Sequence, residues 1–145
     1  MSKGSDQITL KELLTFVKEN QVVYFATMHD SQPKVRPMTL FYIYGKFYFC
    51  TFQGDPKVAQ IKNNKSCQIL LPLKDDYDNN GYINMIGSAK ICQDMNVKQE
   101  AEYFCFFFDQ FFDGADDPDF CLMELTFDSY EYLKPGENHK IVIKN

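Results

Sequence analysis

Residues 24–64 of this chain read YFATMHDSQPKVRPMTLFYIYGKFYFCTFQGDPKVAQIKNN. Apolar, β-prone side chains form three runs within and just before this stretch, at 22–28, 34–44 and 47–53. Polar or glycine-containing links separate the runs, as expected for turns between strands. The third run leads to Asp55, a natural N-cap, and to Pro56 at the first helical position. The stretch therefore predicts three strands followed by a helix that ends near Asn64.

Capping boxes mark two further helices outside this stretch. The first begins at Thr9 and opens an apolar 3.6-residue period, which predicts an amphipathic helix at 10–20. The second begins at Asn96 and predicts a helix to about Phe112. The remaining β-patterned runs lie at 66–73, 82–92 and 121–133. This order of elements predicts a mainly β fold with helices (α+β), an antiparallel barrel of six to seven strands flanked by helices.

Length and charge restrict the class of protein. A chain of 145 residues predicts one domain over residues 1–145, with 134–145 as a C-terminal tail. Fifteen basic and 20 acidic residues give a net charge of −5 without a basic stripe, which argues against a nucleic-acid partner. The N-terminal residues contain no apolar signal segment, and no apolar run is long enough to span a membrane. We therefore expect a soluble, cytoplasmic protein without a membrane partner.

The cysteines indicate neither a disulfide framework nor a metal site. There are five, widely spaced and without a Cys-x-x-Cys pair, and the two histidines lie far from them. Buried free thiols in a reducing compartment are the better interpretation. We expect no metal site. We also assign no catalytic residue, because neither His29 nor His139 has a predictable partner.

Three side chains around the second and third strands suggest a phosphate site. Lys57 lies in the first turn of a helix, whose N-terminus offers free N–H groups and a partial positive charge. Arg36 on a neighbouring strand could add a fork of donors, and Thr51 a hydroxyl. From these residues alone, solvated surface side chains and an ordinary helix cap explain the pattern better.

A series of short motifs changes this interpretation. They are Ala26-Thr27, Arg36-Pro37-Met38, Tyr48-Phe49-Cys50-Thr51, Pro56-Lys57-Val58 and Ile86-Gly87-Ser88-Ala89. In this order and spacing, over roughly residues 10–130, the chain resembles the pyridoxamine 5′-phosphate oxidase-like, FMN-binding split-barrel superfamily. The resemblance is greatest to its short, general stress protein-type branch.

This resemblance implies a split β-barrel homodimer that binds FMN at the subunit interface. Arg36 and Lys57 would contact the FMN phosphate, and Cys50 and Thr51 would border the ribityl-phosphate. The backbone along Pro37, Met38 and Thr39 would face the isoalloxazine ring. Tyr82 would reach the flavin from the other subunit. By the same analogy the protein would be an NAD(P)H-linked oxidoreductase with a small-molecule electron donor and acceptor, its substrate unknown.

Several departures from the family pattern leave alternatives open. Asp55 stands where the family often has a small hydroxyl residue that donates to the phosphate. Phe41 replaces the lysine of true pyridoxamine phosphate oxidases, and their C-terminal Arg-x-His segment is missing, so that activity is not expected. The alternatives are a split-barrel protein for another cofactor, such as haem or a deazaflavin, a barrel without cofactor, and a non-catalytic flavin carrier.

Two other segments have compositions that are compatible with a functional role. Residues 76–81 match the start of a calcium-binding loop, but position 12 of that loop is Gly87 instead of glutamate, so a solvated hairpin turn is the better interpretation. The aromatic run at 103–112 is apolar on every side of its predicted helix. It predicts a monomer core, a dimer contact or an aromatic wall beside a flavin.

Overall fold

Seven strands and four helices make up the part of the chain that the computed structural model describes, residues 7–74 and 81–145. The strands are β1 (Asn20–His29), β2 (Gln32–Ile43), β3 (Lys46–Phe52), β4 (Ser66–Leu73), β5 (Gly81–Ile91), β6 (Phe120–Leu133) and β7 (Ile141–Lys144). The helices are α1 (Leu10–Leu14), α2 (Pro56–Asn63), α3 (Met95–Phe104) and α4 (Phe108–Phe111). The hairpin turn predicted at 76–81, which resembles the start of a calcium-binding loop, falls outside the described residues except for Gly81.

All strand pairs are antiparallel, and the sheet closes on itself. The strand order is β3-β2-β1-β4-β5-β6-β7, and an additional pairing of β3 with β6 completes a six-stranded barrel. The seventh strand pairs with β6 through Ser129–Tyr132, so part of the predicted tail belongs to the sheet. The predicted fold class, mainly β with helices in a split barrel, is confirmed.

Alternating burial along the strands separates two apolar clusters. Val23 and Phe25 on β1 and Phe49 on β3 are fully buried inside the barrel. Tyr48 and Cys50 point to the other face of β3, where α3 and α4 cover a second cluster. Because successive strand residues face opposite sides, β3 is buried on both faces through most of its length.

Two helix predictions are wrong in their bounds. The helix predicted at 10–20 ends at Leu14, and the next three residues form tighter turns in which each N–H donates to the carbonyl three residues earlier. The helix predicted from Asn96 to Phe112 is capped by Asp94 and interrupted at Cys105, after which α4 begins. Thr15, Phe16 and Val17 after the first helix and the aromatic residues around Cys105 have low helix propensity, so tertiary packing decides where each helix ends.

Candidate anion-binding site

An open cleft of about 520 Å³ lies where the β1–β2 hairpin meets the start of α2. Its walls include His29, Lys34, Arg36, Asp55, Lys57 and Gln60. The Asp55 side chain accepts a hydrogen bond from a backbone N–H in the first turn, and Pro56 supplies the preset φ, so the sequence itself begins the helix at this point. The cleft thus combines a hairpin end and a helix N-terminus.

Lys57 and Asp55 form the tightest ionic contact of the cleft. Lys57 Nζ lies 2.8 Å from Asp55 Oδ1, and the same oxygen accepts the Lys57 backbone N–H at 3.1 Å. Lys57 is only 5% exposed. Partial burial raises the pKa of the Asp55 carboxyl, but the Lys57 hydrogen bonds and the charges of Lys57 and Arg36 outweigh this, so its pKa lies below the ordinary value. Asp55 is therefore an ionised partner of a buried ammonium group.

Arg36 is held by neutral groups instead of a carboxylate. Its Nη1 donates to Thr27 Oγ1 at 2.8 Å and its Nη2 to Gln60 Oε1 at 3.0 Å. Thr27 in turn donates to Gln60 Oε1 at 2.6 Å, which completes a triangle of hydrogen bonds. The guanidinium lies 5.7 Å from the centre of the Phe25 ring, and partial burial lowers the pKa of Arg36 despite the nearby Asp55 charge. Its orientation is fixed while its charge stays uncompensated by direct contact.

The charge balance of the cleft favours an anion. Lys34, Arg36 and Lys57 supply three positive charges, and Asp55 supplies the one carboxylate among the residues that line it. The two excess positive charges come with N–H donors in fixed positions, the combination that binds phosphate and other multivalent anions. Arg36 and Lys57, predicted as phosphate contacts, are thus brought to one place by two different elements.

The other predicted ribityl-phosphate contacts do not line this cleft. Thr51 is buried on the barrel side of β3, opposite Cys121 on β6. Cys50 faces the second cluster, beneath α3 and α4, where it contacts Cys105. A hydrogen bond with Cys105, followed by burial, raises the pKa of Cys50 well above its ordinary value. Because adjacent strand residues face opposite sides, the Cys50 side chain points away from that of Thr51, and its place beside the ligand stays a prediction.

The residues predicted beside the isoalloxazine ring are divided between two faces of the sheet. Met38 points inward and packs on the barrel core. Pro37 and Thr39 lie on the outer face of β2, opposite Tyr24 and Val22 of β1. Tyr82 lies two strands from β1, on β5, opposite Pro72. Side-chain contacts of Pro37 and Thr39 with a ring would therefore lie on the outer face of β2, whereas Arg36 and Met38 point to the inner face.

That outer face is unusually apolar for exposed surface. Val22 is 60% exposed and Val35 is 64% exposed, and Tyr24 lies beside Leu70 in the register of β1 and β4. Apolar side chains that stand together on a solvated sheet face commonly mark a contact with another molecule. Pro37 and Thr39 contribute to this face from β2, the same strand that carries Arg36 on its other side.

The aromatic run at 103–112 divides its side chains between core and surface. Phe108 and Phe112 are buried in the second cluster, as the core interpretation predicts. Tyr103 is 91% exposed and Phe106 is 67% exposed.

Thr27 and Gln60 are site residues that the sequence interpretation missed. Thr27 belongs to the Ala26-Thr27 motif but has no predicted role, and Gln60 has no predicted role either. The available signal was polarity at an apolar position. Thr27 continues the inward series Val23, Phe25, and Gln60 sits between the buried residues of α2.

The family model for pyridoxamine 5′-phosphate oxidase-like proteins matches residues 9–144. The chain belongs to the pyridoxamine 5′-phosphate oxidase-like family. General stress protein 26 of Bacillus subtilis (strain 168) is similar in sequence. It is 25% identical over 134 residues, which cover 92% of this chain and 94% of that protein. The predicted resemblance is thereby confirmed.

Solved structures agree on the fold. General stress protein 26 of Bacillus anthracis superposes with a TM-score of 0.72 at 22% identity, over 95% of this chain and 100% of that one. A FAD-binding protein from Mesorhizobium loti has a TM-score of 0.69 at 15% identity, over 85% of this chain and 92% of its own. A heme-binding protein from Mycobacterium smegmatis has a TM-score of 0.64 at 13% identity, over 87% and 53% respectively. At these identities the likeness shows the fold alone.

Among residues 7–74 and 81–145, no helix is both long and apolar enough to cross a membrane. The described ranges include all five cysteines, and each is a free thiol.

Proposed function

We propose that this protein is an FMN-binding flavoprotein, one domain over residues 1–145, which holds the FMN phosphate between Arg36 and Lys57. The observation that carries the proposal is the meeting of these two cations, from β2 and α2, in one open cleft with two excess positive charges. A phosphate monoester carries about 1.5 to 2 negative charges at neutral pH, so cleft and ligand match in charge.

The residues present fit a phosphate group. A guanidinium has five N–H donors. Arg36 uses some of them for Thr27, Gln60 and two backbone carbonyls, which leaves others for a ligand. The Lys57 ammonium has three donors, of which Asp55 takes one. Arg36 and Lys57 therefore both retain N–H donors for a phosphate, but the charge of Lys57 is already partly compensated by Asp55.

The proposal places the flavin ring along the outer face of β2, past Pro37 and Thr39, in the interface of a homodimer. The exposed apolar side chains on β1, β2 and β4 are the surface that a second copy would cover. Tyr82 on β5 of that second copy would complete the ring site. The FAD-binding structural neighbour supports a flavin on this fold.

When bound, the flavin supplies the redox chemistry, and this chain binds and orients it. We propose that the protein is an oxidoreductase that takes electrons from NAD(P)H and passes them to a small molecule. A cytoplasmic location fits its five free thiols, which persist in a reducing compartment. A non-catalytic flavin carrier is the alternative within the same binding proposal.

The visible spectrum of the protein as purified tests the proposal directly. We expect a flavin spectrum, and chromatography of the ligand released by denaturation should identify FMN rather than FAD. A Soret band would instead indicate haem, as in the heme-binding neighbour. A colourless protein that does not bind added FMN would refute the proposal.

A matched pair of variants tests the site. Arg36→Gln removes the guanidinium and should lower FMN affinity at least tenfold, since a hydrogen bond to a charged group contributes about 1.5–3 kcal/mol. Lys11→Gln removes one exposed positive charge from α1, outside the cleft, and should leave the affinity unchanged. Equal affinities for the two variants would contradict the assignment. Steady-state oxidation of NADH and NADPH by the flavin-loaded protein then separates enzyme from carrier.

A further inference from the structure

One oxygen of Asp55 lies where the groups that would hold a phosphate converge. Oδ1 accepts the Lys57 backbone N–H at 3.1 Å and also contacts the Lys57 ammonium at 2.8 Å. A helix N–H together with a cation is the donor set that a phosphate oxygen uses at a helix N-terminus. We infer that Asp55 is an internal anion that competes with the cofactor phosphate for Lys57 and so sets how much the phosphate contributes to binding.

The burial of Lys57 makes this competition unavoidable. Its side chain is 6% exposed, whereas that of Asp55 is 37% exposed. A buried ammonium group needs a charged or hydrogen-bonding partner, because its transfer from water is costly. In the free protein that partner is Asp55. A phosphate that binds Lys57 therefore either shares the ammonium group with Asp55 or replaces Asp55, and in both cases the positive charge is already partly compensated.

The remaining charges around Asp55 cannot remove the conflict. Arg36 lies close enough to lower the pKa of Asp55, and His29 and Lys34 line the same cleft. If Asp55 stays in place when phosphate binds, the two negative groups share the same cations and repel each other. If Asp55 turns away, Lys57 loses its partner first. Either path subtracts from the binding free energy of the phosphate.

If FMN binds at the proposed site, Asp55 also determines how strongly that site prefers FMN to riboflavin. Riboflavin is FMN without the phosphate, so the ratio of the two affinities isolates the phosphate contribution. We expect the wild-type protein to discriminate weakly between FMN and riboflavin.

The test substitutes Asp55 and uses a second helix cap as control. Asp55→Ser removes the charge but retains a side-chain cap acceptor, since serine and aspartate cap equally well. Asp94 caps α3 in the same way, accepting the Asn96 N–H at 2.9 Å, so Asp94→Ser controls for the capping change. FMN and riboflavin affinities are measured by titration calorimetry at one ionic strength. Thermal melts confirm that each variant is folded, and Asp55→Asn replaces Asp55→Ser if the serine variant is not.

We expect Asp55→Ser to raise the affinity for FMN roughly tenfold and to change the affinity for riboflavin by less than about twofold. Asp94→Ser should change neither affinity. FMN binding by Asp55→Ser alone, with none by wild type, would refute the proposed function of the natural chain but support the competition of Asp55 with phosphate at this site. Unchanged or lower FMN affinity in Asp55→Ser, with FMN bound by wild type, would overturn the inference and leave the proposed function standing. Failure of both proteins to bind either flavin would overturn both.

Discussion

Thr27→Val should weaken the fold through the loss of a single hydroxyl group. The Thr27 side chain is 2% exposed, donates to Gln60 Oε1 at 2.6 Å and accepts from Arg36 Nη1 at 2.8 Å. Valine has nearly the same shape, so the substitution removes the two hydrogen bonds without creating a cavity.

The magnitude follows from the two bonds and the exposure of their partners. A neutral hydrogen bond contributes about 0.5–1.5 kcal/mol, and one to a charged group about 1.5–3 kcal/mol. Arg36 is only partly buried and can bind water instead, so the hydrogen bond from Arg36 contributes an energy near the lower limit of that range. We expect the free energy of unfolding to fall by about 2–3 kcal/mol.

Urea denaturation followed by circular dichroism measures this change, with Thr126→Val as the matched control. Thr126 is exposed on β6, so its substitution should change the free energy of unfolding by less than about 0.5 kcal/mol. FMN titration of Thr27→Val should also show weaker binding, because Arg36 loses an anchor. A loss of stability no larger than that of the control would refute the argument that this triangle of hydrogen bonds holds the cleft together.

Three further predictions concern neighbouring features. Asp55→Asn should reduce stability by about 1 kcal/mol near pH 7, because Asp55 is one-third exposed and its ion pair is partly screened. Since the folded pKa of Asp55 is lowered, this difference should persist above about pH 4 and disappear as the pH falls through the folded value, as unfolding at graded pH would show. Gly87→Ala should cost about 2–4 kcal/mol in denaturant unfolding, because a Cβ there would collide with the Thr126 carbonyl oxygen at the bulge between β5 and β6. In the wild-type protein, Arg36→Gln should lower FMN affinity more than Lys57→Gln does. When the same two substitutions are made in the Asp55→Ser variant, calorimetry should show a smaller difference between their FMN affinities.

The barrel was predictable because its strands carry clear signals. Alternating apolar residues and turn residues located six strands to within about two residues, and Asp55 with Pro56 located the start of α2. The ends of α1 and α3 were not predictable in the same way. At Thr15 and Cys105 the chain leaves the helix to pack aromatic and β-branched side chains, and propensity alone does not show where packing prevails.

The charged residues of the site were predictable from the sequence, but the polar residues that hold them in place were not. Arg36 and Lys57 came from motifs, and the register of β1 with β2 places Arg36 beside Phe25 so that it faces inward under α2. The roles of Thr27 and Gln60 depend on that three-dimensional arrangement, which no spacing in the sequence reveals. Cys50 and Thr51 are a different case, because the two-residue period already implied that their side chains point to opposite faces of β3.

The two cations of the cleft are held in opposite ways, and this difference determines what each can give a ligand. Arg36 is fixed by Thr27 and Gln60, which are neutral, so its direct contacts leave its charge available. Lys57 is fixed by Asp55, so most of its charge is compensated before any ligand arrives. An anion entering the cleft gains its attraction mainly from Arg36, and gains from Lys57 only as much as it exceeds Asp55 in charge and hydrogen bonding. A phosphate dianion meets that condition by about one charge, whereas a singly charged anion would not.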